Sequence, residues 1–351
     1  MDARSPSSRT LRTPGDLVAA GLVLATEARE LEAVAARYVI AITPAIVEAM
    51  RPGDDADPIA RQFIPSRQEL DIRPNELADP IGDEAHAPVE GVVHRYPDRA
   101  LLKIVHACPV YCRFCFRREM VGPGGTSLTG AKLDTALAYI AAQPAIREVI
   151  LTGGDPFILT ARRAGEITRR LASIDHVKII RWHTRVPVAD PERVTPAFAK
   201  ALRAKGVATY VAIHANHARE FSEAAKAALA RMADAGLVLV SQSVLLRGVN
   251  DDADTLADLM RAFLDNRVMP YRLNHPDLAP GTSHFRLSIA EGQRIVAALR
   301  GKLSGLCQPD YVLDIPGGHG KAPIGRSYLS GVDGAWGVED YRGDVHAYPE
   351  G

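Results

Sequence analysis

The sequence predicts an α/β fold in which parallel strands curve into a partial barrel. Short β-rich runs recur from residue 101 onward, helix-length stretches rich in Ala, Leu and Arg separate them, and 351 residues suffice for one catalytic domain with extensions. The runs are LLKIV (101–105), EVILT (148–152), VKIIRWHT (177–184), ATYVAIH (208–214), LVLVSQSVLL (237–246) and VMPYRLN (268–274). Between them, 131–143, 161–173, 191–204, 222–235 and 253–265 have helical composition. Parallel strands need crossover helices, so six such repeats fit a partial (β/α)6 barrel, with a doubly wound sheet as the rival.

The flanks read differently. Residues 26–50 form helix with an interruption at Pro44, and 65–97 carry turn formers with little periodicity. A last helix over 289–302 precedes a strand-like YVLDIP and a glycine-rich turn; the tail after Ser330 reads as an extended arm. Three regions follow: a helical N-terminal region and approach (1–98), the barrel (99–305), and a C-terminal lysine-bearing segment with its tail (306–351).

Charge and composition narrow the function. The 42 basic and 42 acidic residues cancel without long runs of one sign, which points away from nucleic acid and membrane surfaces and toward a small-molecule partner. No apolar stretch reaches the roughly 18 residues of a membrane span, and MDARSPSSRTLRTPGD lacks the apolar middle of a secretory signal. The expected address is cytoplasmic. Of four cysteines, Cys307 stands alone and reads as a packing residue, while Cys108, Cys112 and Cys115 share HACPVYCRFCFRRE.

The spacing C-x3-C-x2-C brings three thiolates together. They can hold three corners of a [4Fe–4S] cluster and leave the fourth iron open to an exogenous ligand. Zinc, which takes four protein ligands, would need a residue such as His106 to complete its set. The second strand ends in TGGDP, where Gly153 and Gly154 permit close backbone approach before Asp155; alone, such a string is a common turn. DIPGGHGKAPI ends in Lys321 but is no phosphate-binding P-loop, because Ile315 and Ala322 stand where that motif needs Gly and Ser or Thr.

Taken in order, DPIARQFIPS, VHRYPDRALL, CPVYCRFCFRR, LTGGDP, SQSVLLRGVND, HPDLAPGTSHFR and DIPGGHGK resemble the lysine 2,3-aminomutases of the radical S-adenosylmethionine (SAM) superfamily. The resemblance implies a [4Fe–4S] cluster on the three cysteines, SAM on the open iron, and pyridoxal 5′-phosphate (PLP) carried by Lys321. It implies that Arg117 binds the substrate carboxylate and that Asp277 and Asp314 bind its terminal ammonium. Arg95, Tyr96 and Arg99 match positions around the PLP phosphate. Gly153, Gly154, Asp155, His214, Asn216 and Gln242 match positions around SAM, although the last three could equally be polar residues satisfying the backbone at the barrel mouth.

The implied reaction is conversion of L-lysine to β-lysine by 1,2-amino migration, with electrons from a donor such as flavodoxin or ferredoxin. Arginine 2,3-aminomutase and other radical SAM/PLP aminomutases stay open, as does a relative that rearranges a lysine destined for elongation factor P. A non-catalytic iron–sulfur protein would be expected to have lost Lys321 or a cysteine. The chain is shorter at both ends than larger members of the family and has no cysteine after Cys307, so no intersubunit zinc is expected and homo-oligomerisation is left open.

Overall fold

The computed structural model describes residues 9–121, 127–332 and 335–349. All six expected strands are present, and the sheet continues beyond them at both edges. In chain order its strands are β1 (Val92–Tyr96), β2 (Arg99–Val105), β3 (Glu148–Gly153), β4 (Ile179–Thr184), β5 (Ala208–His214), β6 (Val238–Val244), β7 (Met269–Asn274), β8 (Asp310–Ile315) and β9 (Gly320–Pro323). Spatial order equals chain order. Strands β2 to β8 pair in parallel, whereas β1 folds back on β2 and β9 on β8, both antiparallel. A doubly wound sheet reverses its strand order at the centre, so this order selects the barrel.

Four short helices precede the sheet: α1 (Pro14–Ala19), α2 (Ala25–Arg37), α3 (Pro44–Ala49) and α4 (Pro58–Phe63). Pro44 opens α3 at its first turn, where a missing N–H costs nothing, which explains the break in 26–50. The sheet's connections carry α5 (Gly130–Ala141), α6 (Ala161–Ala172), α7 (Val186–Ala189), α8 (Pro196–Ala201), α9 (Glu223–Asp234), α10 (Ala253–Asp265) and α11 (Ile289–Ala297). The helix expected over 191–204 is split. Pro196 starts α8 after Thr195, whose hydroxyl accepts the Phe198 N–H at 3.1 Å, and a separate 3-10 turn covers Pro191–Arg193.

Strand parity divides the barrel into two faces. Ala100, Leu102 and Ile104 of β2, with Ile180 and Trp182 of β4, join helical residues such as Leu133, Ile167, Leu229 and Phe263 in one apolar core. Each fully buried large side chain there contributes about 1.5–3 kcal/mol. The intervening positions, Lys103, Thr152, Arg181, His183, His214, Gln242 and Asp314, fall on the opposite, inner face.

Two expectations need correction. The irregular approach contains strand β1, so Arg95 and Tyr96 sit on the sheet and not in a loop before it. The tail is no extended arm: β10 (Leu329–Val332), β11 (Ala335–Glu339) and β12 (Val345–Tyr348) form an antiparallel meander. Among the described residues no helix is long and apolar enough to cross a membrane.

Candidate active site

The three cysteines lie on the loop leaving β2, and the N-terminal region fixes that loop. Backbone N–H groups of Tyr111 and Arg113 donate to the Ala41 and Gln62 carbonyls at 2.9 and 2.8 Å. The fully buried Glu69 carboxylate takes Arg113 Nε at 2.9 Å and also pairs with Arg118. Burial pushes all three thiols up: Cys115 to about 11, and Cys108 well above its ordinary value, where the Asp155 carboxylate and the other thiols add to its burial. Thiolates form here when a metal centre compensates their charge. Among the described residues no three His, Cys, Asp or Glu side chains converge on one ion, and thiolates serving separate iron corners need not do so.

TGGDP packs directly beneath the loop. A Cβ on Gly153 would overlap the Val105 carbonyl oxygen and one on Gly154 the Ala107 carbonyl oxygen, while Gly153 also holds φ +113°. The close approach these glycines permit is therefore to the cysteine loop itself. Asp155 accepts from the Thr184 hydroxyl at 2.7 Å and from the backbone N–H of Phe157, Arg185 and Val186 at 3.0, 2.7 and 3.2 Å. Its side chain ties β3 to the end of β4.

At the barrel mouth the SAM-side candidates separate. Asn216 is fully buried and spent on structure: Nδ2 donates to Gln62 Oε1 at 3.1 Å, and Oδ1 accepts the Val244 N–H at 2.9 Å. These bonds match the alternative reading of Asn216 as a polar residue that satisfies the backbone at the barrel mouth. His214 pairs in register with Gln242, stacks edge-on against Phe114 at 5.7 Å, and its buried Nε2 has no partner among the described residues. Burial, reinforced by Arg185, holds it neutral down to about pH 3. A neutral imidazole with an unpartnered nitrogen suits a polar ligand.

The other pole is built where the two sheet edges meet. Asp314 and Lys321 face each other across the β8–β9 hairpin and form an ion pair, and Lys321 Nζ also donates to Asn274 Oδ1 at 3.2 Å. Instead of a ladder, Tyr96 Oη of β1 accepts the Lys321 backbone N–H at 2.7 Å. The turn between the strands docks on residues 82–86: His86 Nε2 donates to the Gly318 carbonyl at 3.0 Å, and Gly82 packs so closely on Gly318 that a Cβ would overlap its backbone. Arg95 reaches Asp314 at 3.7 Å, and its Nε is a buried donor without an acceptor among the described residues. Arg99 lies over the Tyr96 ring at 3.8 Å.

Arg117 joins the poles. Its guanidinium donates to Asp83 Oδ2 at 2.9 Å and to Thr152 Oγ1 at 3.4 Å. Asp83 is fully buried; burial alone would raise its carboxyl, but Arg117, Lys103 and Arg95 hold it below the usual carboxylate range. Asp277 is pushed up to about 7 by burial and by the neighbouring Asp314 charge, with Lys321 and Arg117 opposing. Sequence reading missed Asp83, and also His183, which burial and the surrounding charges of Arg181, Arg117 and Lys321 keep neutral. Strand parity in VKIIRWHT was the available signal for His183. Nothing local marks Asp83.

The arrangement thus offers three thiols at one pole and, at the other, a lysine beside two carboxyls and three arginines. The radical SAM superfamily model matches residues 102–260. The chain is 39% identical over 290 residues to L-lysine 2,3-aminomutase of Clostridium subterminale, covering 83% of this chain and 70% of that protein. Identity is also 39% over 290 residues to L-lysine 2,3-aminomutase of Fusobacterium nucleatum subsp. nucleatum, covering 83% and 68%. It is 34% over 303 residues to glutamate 2,3-aminomutase of Clostridioides difficile, covering 86% and 71%. The chain belongs to the lysine 2,3-aminomutase family of radical SAM enzymes.

Proposed function

We propose that this enzyme is a PLP-dependent L-lysine 2,3-aminomutase that moves the amino group of lysine from C2 to C3. Superfamily membership implies a [4Fe–4S] cluster and SAM; in the proposal Cys108, Cys112 and Cys115 hold the cluster and Lys321 carries PLP. When bound, cluster and SAM supply the radical that removes a substrate hydrogen, and PLP supplies the conjugated ring that carries the migrating nitrogen.

The observation that carries the substrate assignment is the acid pair. Asp277 and Asp314 lie close enough for the charge of one to raise the other to about 7. Two carboxyls this close are stabilised by a cation between them. Lys321 partly fills that role through its ion pair with Asp314, and in the proposal a substrate ammonium completes it. Arg117 offers forked donors for the substrate carboxylate, oriented by Asp83 and Thr152.

The residues around Lys321 suit PLP. The unpartnered Arg95 Nε provides a buried donor for a phosphate oxygen, with Arg99 on the adjacent strand and Tyr96 bracing the lysine backbone. His214 and Gln242, paired at the barrel mouth, are the side chains proposed to face SAM, with the backbone of Gly153 and Gly154 nearby.

A glutamate-type substrate would bring a second anion toward Asp277 and Asp314, so the related glutamate enzyme does not set the expectation here. Arginine, also cationic at its far end, is the second reading the acid pair permits. The test is anaerobic incubation of reconstituted enzyme with SAM, PLP, a low-potential donor of the flavodoxin or ferredoxin type, and lysine, arginine or glutamate in turn. β-Lysine from lysine alone supports the proposal, β-arginine moves the substrate, and β-glutamate overturns the acid-pair argument.

A further inference from the structure

We infer that Arg185 is a positioning residue that raises the reduction potential of the iron–sulfur cluster through Cys112. Its side chain is 4% exposed, and Nη1 donates to Cys112 Sγ at 3.2 Å. The other terminal nitrogen is anchored twice, to Gln62 Oε1 at 2.6 Å and to Glu220 Oε2 at 2.7 Å. The rings of Phe63 and Phe114 lie 4.6 and 5.4 Å from the guanidinium carbon. Asp155 holds the Arg185 backbone N–H, so the TGGDP segment also fixes this cation. The remaining donor, Nε, is buried and has no acceptor among the described residues.

This is an unusual amount of structure around one arginine if packing were its only task. A buried guanidinium is costly unless every donor is used, and here one donor is spent on a thiol sulfur and another is unspent. An anionic cluster held by three thiolates would add a counter-charge beside the guanidinium, which already donates to Cys112 Sγ. One-electron reduction adds one negative charge to the cluster and its ligands, with the electron coming from the low-potential donor. A fixed cation hydrogen-bonded to a ligand sulfur stabilises that added charge, and hydrogen bonds and net charge near the sulfurs are established levers on cluster potential. Glu220 opposes Arg185 from the far side. Asp155 is the other nearby carboxyl, and its oxygens are occupied by the Thr184 hydroxyl and backbone donors.

Two variants have opposite expected signs. In anaerobically reconstituted full-length enzyme without SAM, an EPR-monitored redox titration gives the cluster midpoint. Arg185→Gln removes the cation and is expected to make the midpoint more negative at unchanged iron and sulfide content. Glu220→Gln removes the opposing charge while keeping an oxygen for the Asn216 and His217 N–H groups, and is expected to make it less negative.

Local loosening alone would move both variants the same way, so a common direction overturns the inference, as does an unchanged midpoint in Arg185→Gln. If Arg185→Gln fails to take up iron, Glu220→Gln decides alone: an unchanged or more negative midpoint overturns it. The inference rests on Cys108, Cys112 and Cys115 as cluster ligands. Wild-type protein that takes up no iron would sink that assignment and this inference together, whereas equal midpoints at full iron content would sink only the inference.

Discussion

Replacing Asp277 by Asn isolates the group on which the substrate assignment depends. Asp277 titrates near 7 in the folded chain, against an ordinary value of 3.8. The unfolded chain therefore binds fewer protons between those values, and stability falls as pH rises from about 4 to about 7, then levels off. Three units at about 1.4 kcal/mol each set an upper limit of ~4 kcal/mol on the cost of ionising it. Asn carries no such cost, so Asp277→Asn is expected to be more stable than wild type at pH 8, with the difference shrinking toward pH 5.

Binding carries the opposite pH dependence. A cation between Asp277 and Asp314 needs Asp277 ionised, which at pH 6 requires removing a proton from a group titrating one unit higher. The affinity of PLP-loaded enzyme for L-lysine should then be about tenfold weaker at pH 6 than at pH 8 from this group alone. Calorimetry without SAM or reductant prevents turnover and reads the affinity directly. Because PLP has a pH dependence of its own, the informative quantity is the difference between the wild-type and Asp277→Asn slopes. Identical slopes would refute the reasoning, as would an Asn variant that binds lysine as tightly as wild type at pH 8.

Further substitutions probe the scaffold. Gly154→Ala drives a methyl group into the Ala107 carbonyl and should abolish iron uptake with little change in far-UV circular dichroism; Gly206→Ala, where nothing lies within 4 Å, should keep its iron despite the strain of φ +87°. Glu69→Gln leaves the guanidinium groups of Arg113 and Arg118 buried without their counter-charge and should cost about 3–5 kcal/mol in denaturant unfolding. Asn216→Ala should cost about 1–3 kcal/mol by stranding the Val244 N–H, while SAM binding by the folded fraction stays near wild type.

The sequence displayed the barrel because its strands and helices are separate, strongly patterned runs; β2 to β7 fall where the β-rich stretches lie. It hid β1 because VVHRY is short, ends in polar residues and gains its identity from pairing with β2. It hid the meander because Gly-rich and Asp-rich strands carry weak local preference, and pairing with neighbours decides their conformation. In the site, Lys321, Asp314, Arg95 and Tyr96 were legible from two motifs about 220 residues apart, and the hairpin register brings them into one patch.

What motifs could not display is the set of acids that hold the arginines. Glu69 serves Arg113 and Arg118, Asp83 serves Arg117, and Glu220 serves Arg185. Each acid lies more than thirty residues from its partner, in stretches that look like turn or approach. An arginine beside a cysteine motif announces itself through the chemistry of its surroundings. Its acid is chosen by burial: a guanidinium taken from water needs a counter-charge wherever the fold can supply one, and only the assembled barrel shows which segment that is. The N-terminal region follows the same logic. Its Gln62, Glu69 and Asp83 are remote from the cysteines in sequence, yet they fix the cations on the cysteine loop and beside it, so replacing these three side chains should loosen the cysteine loop before it loosens the barrel.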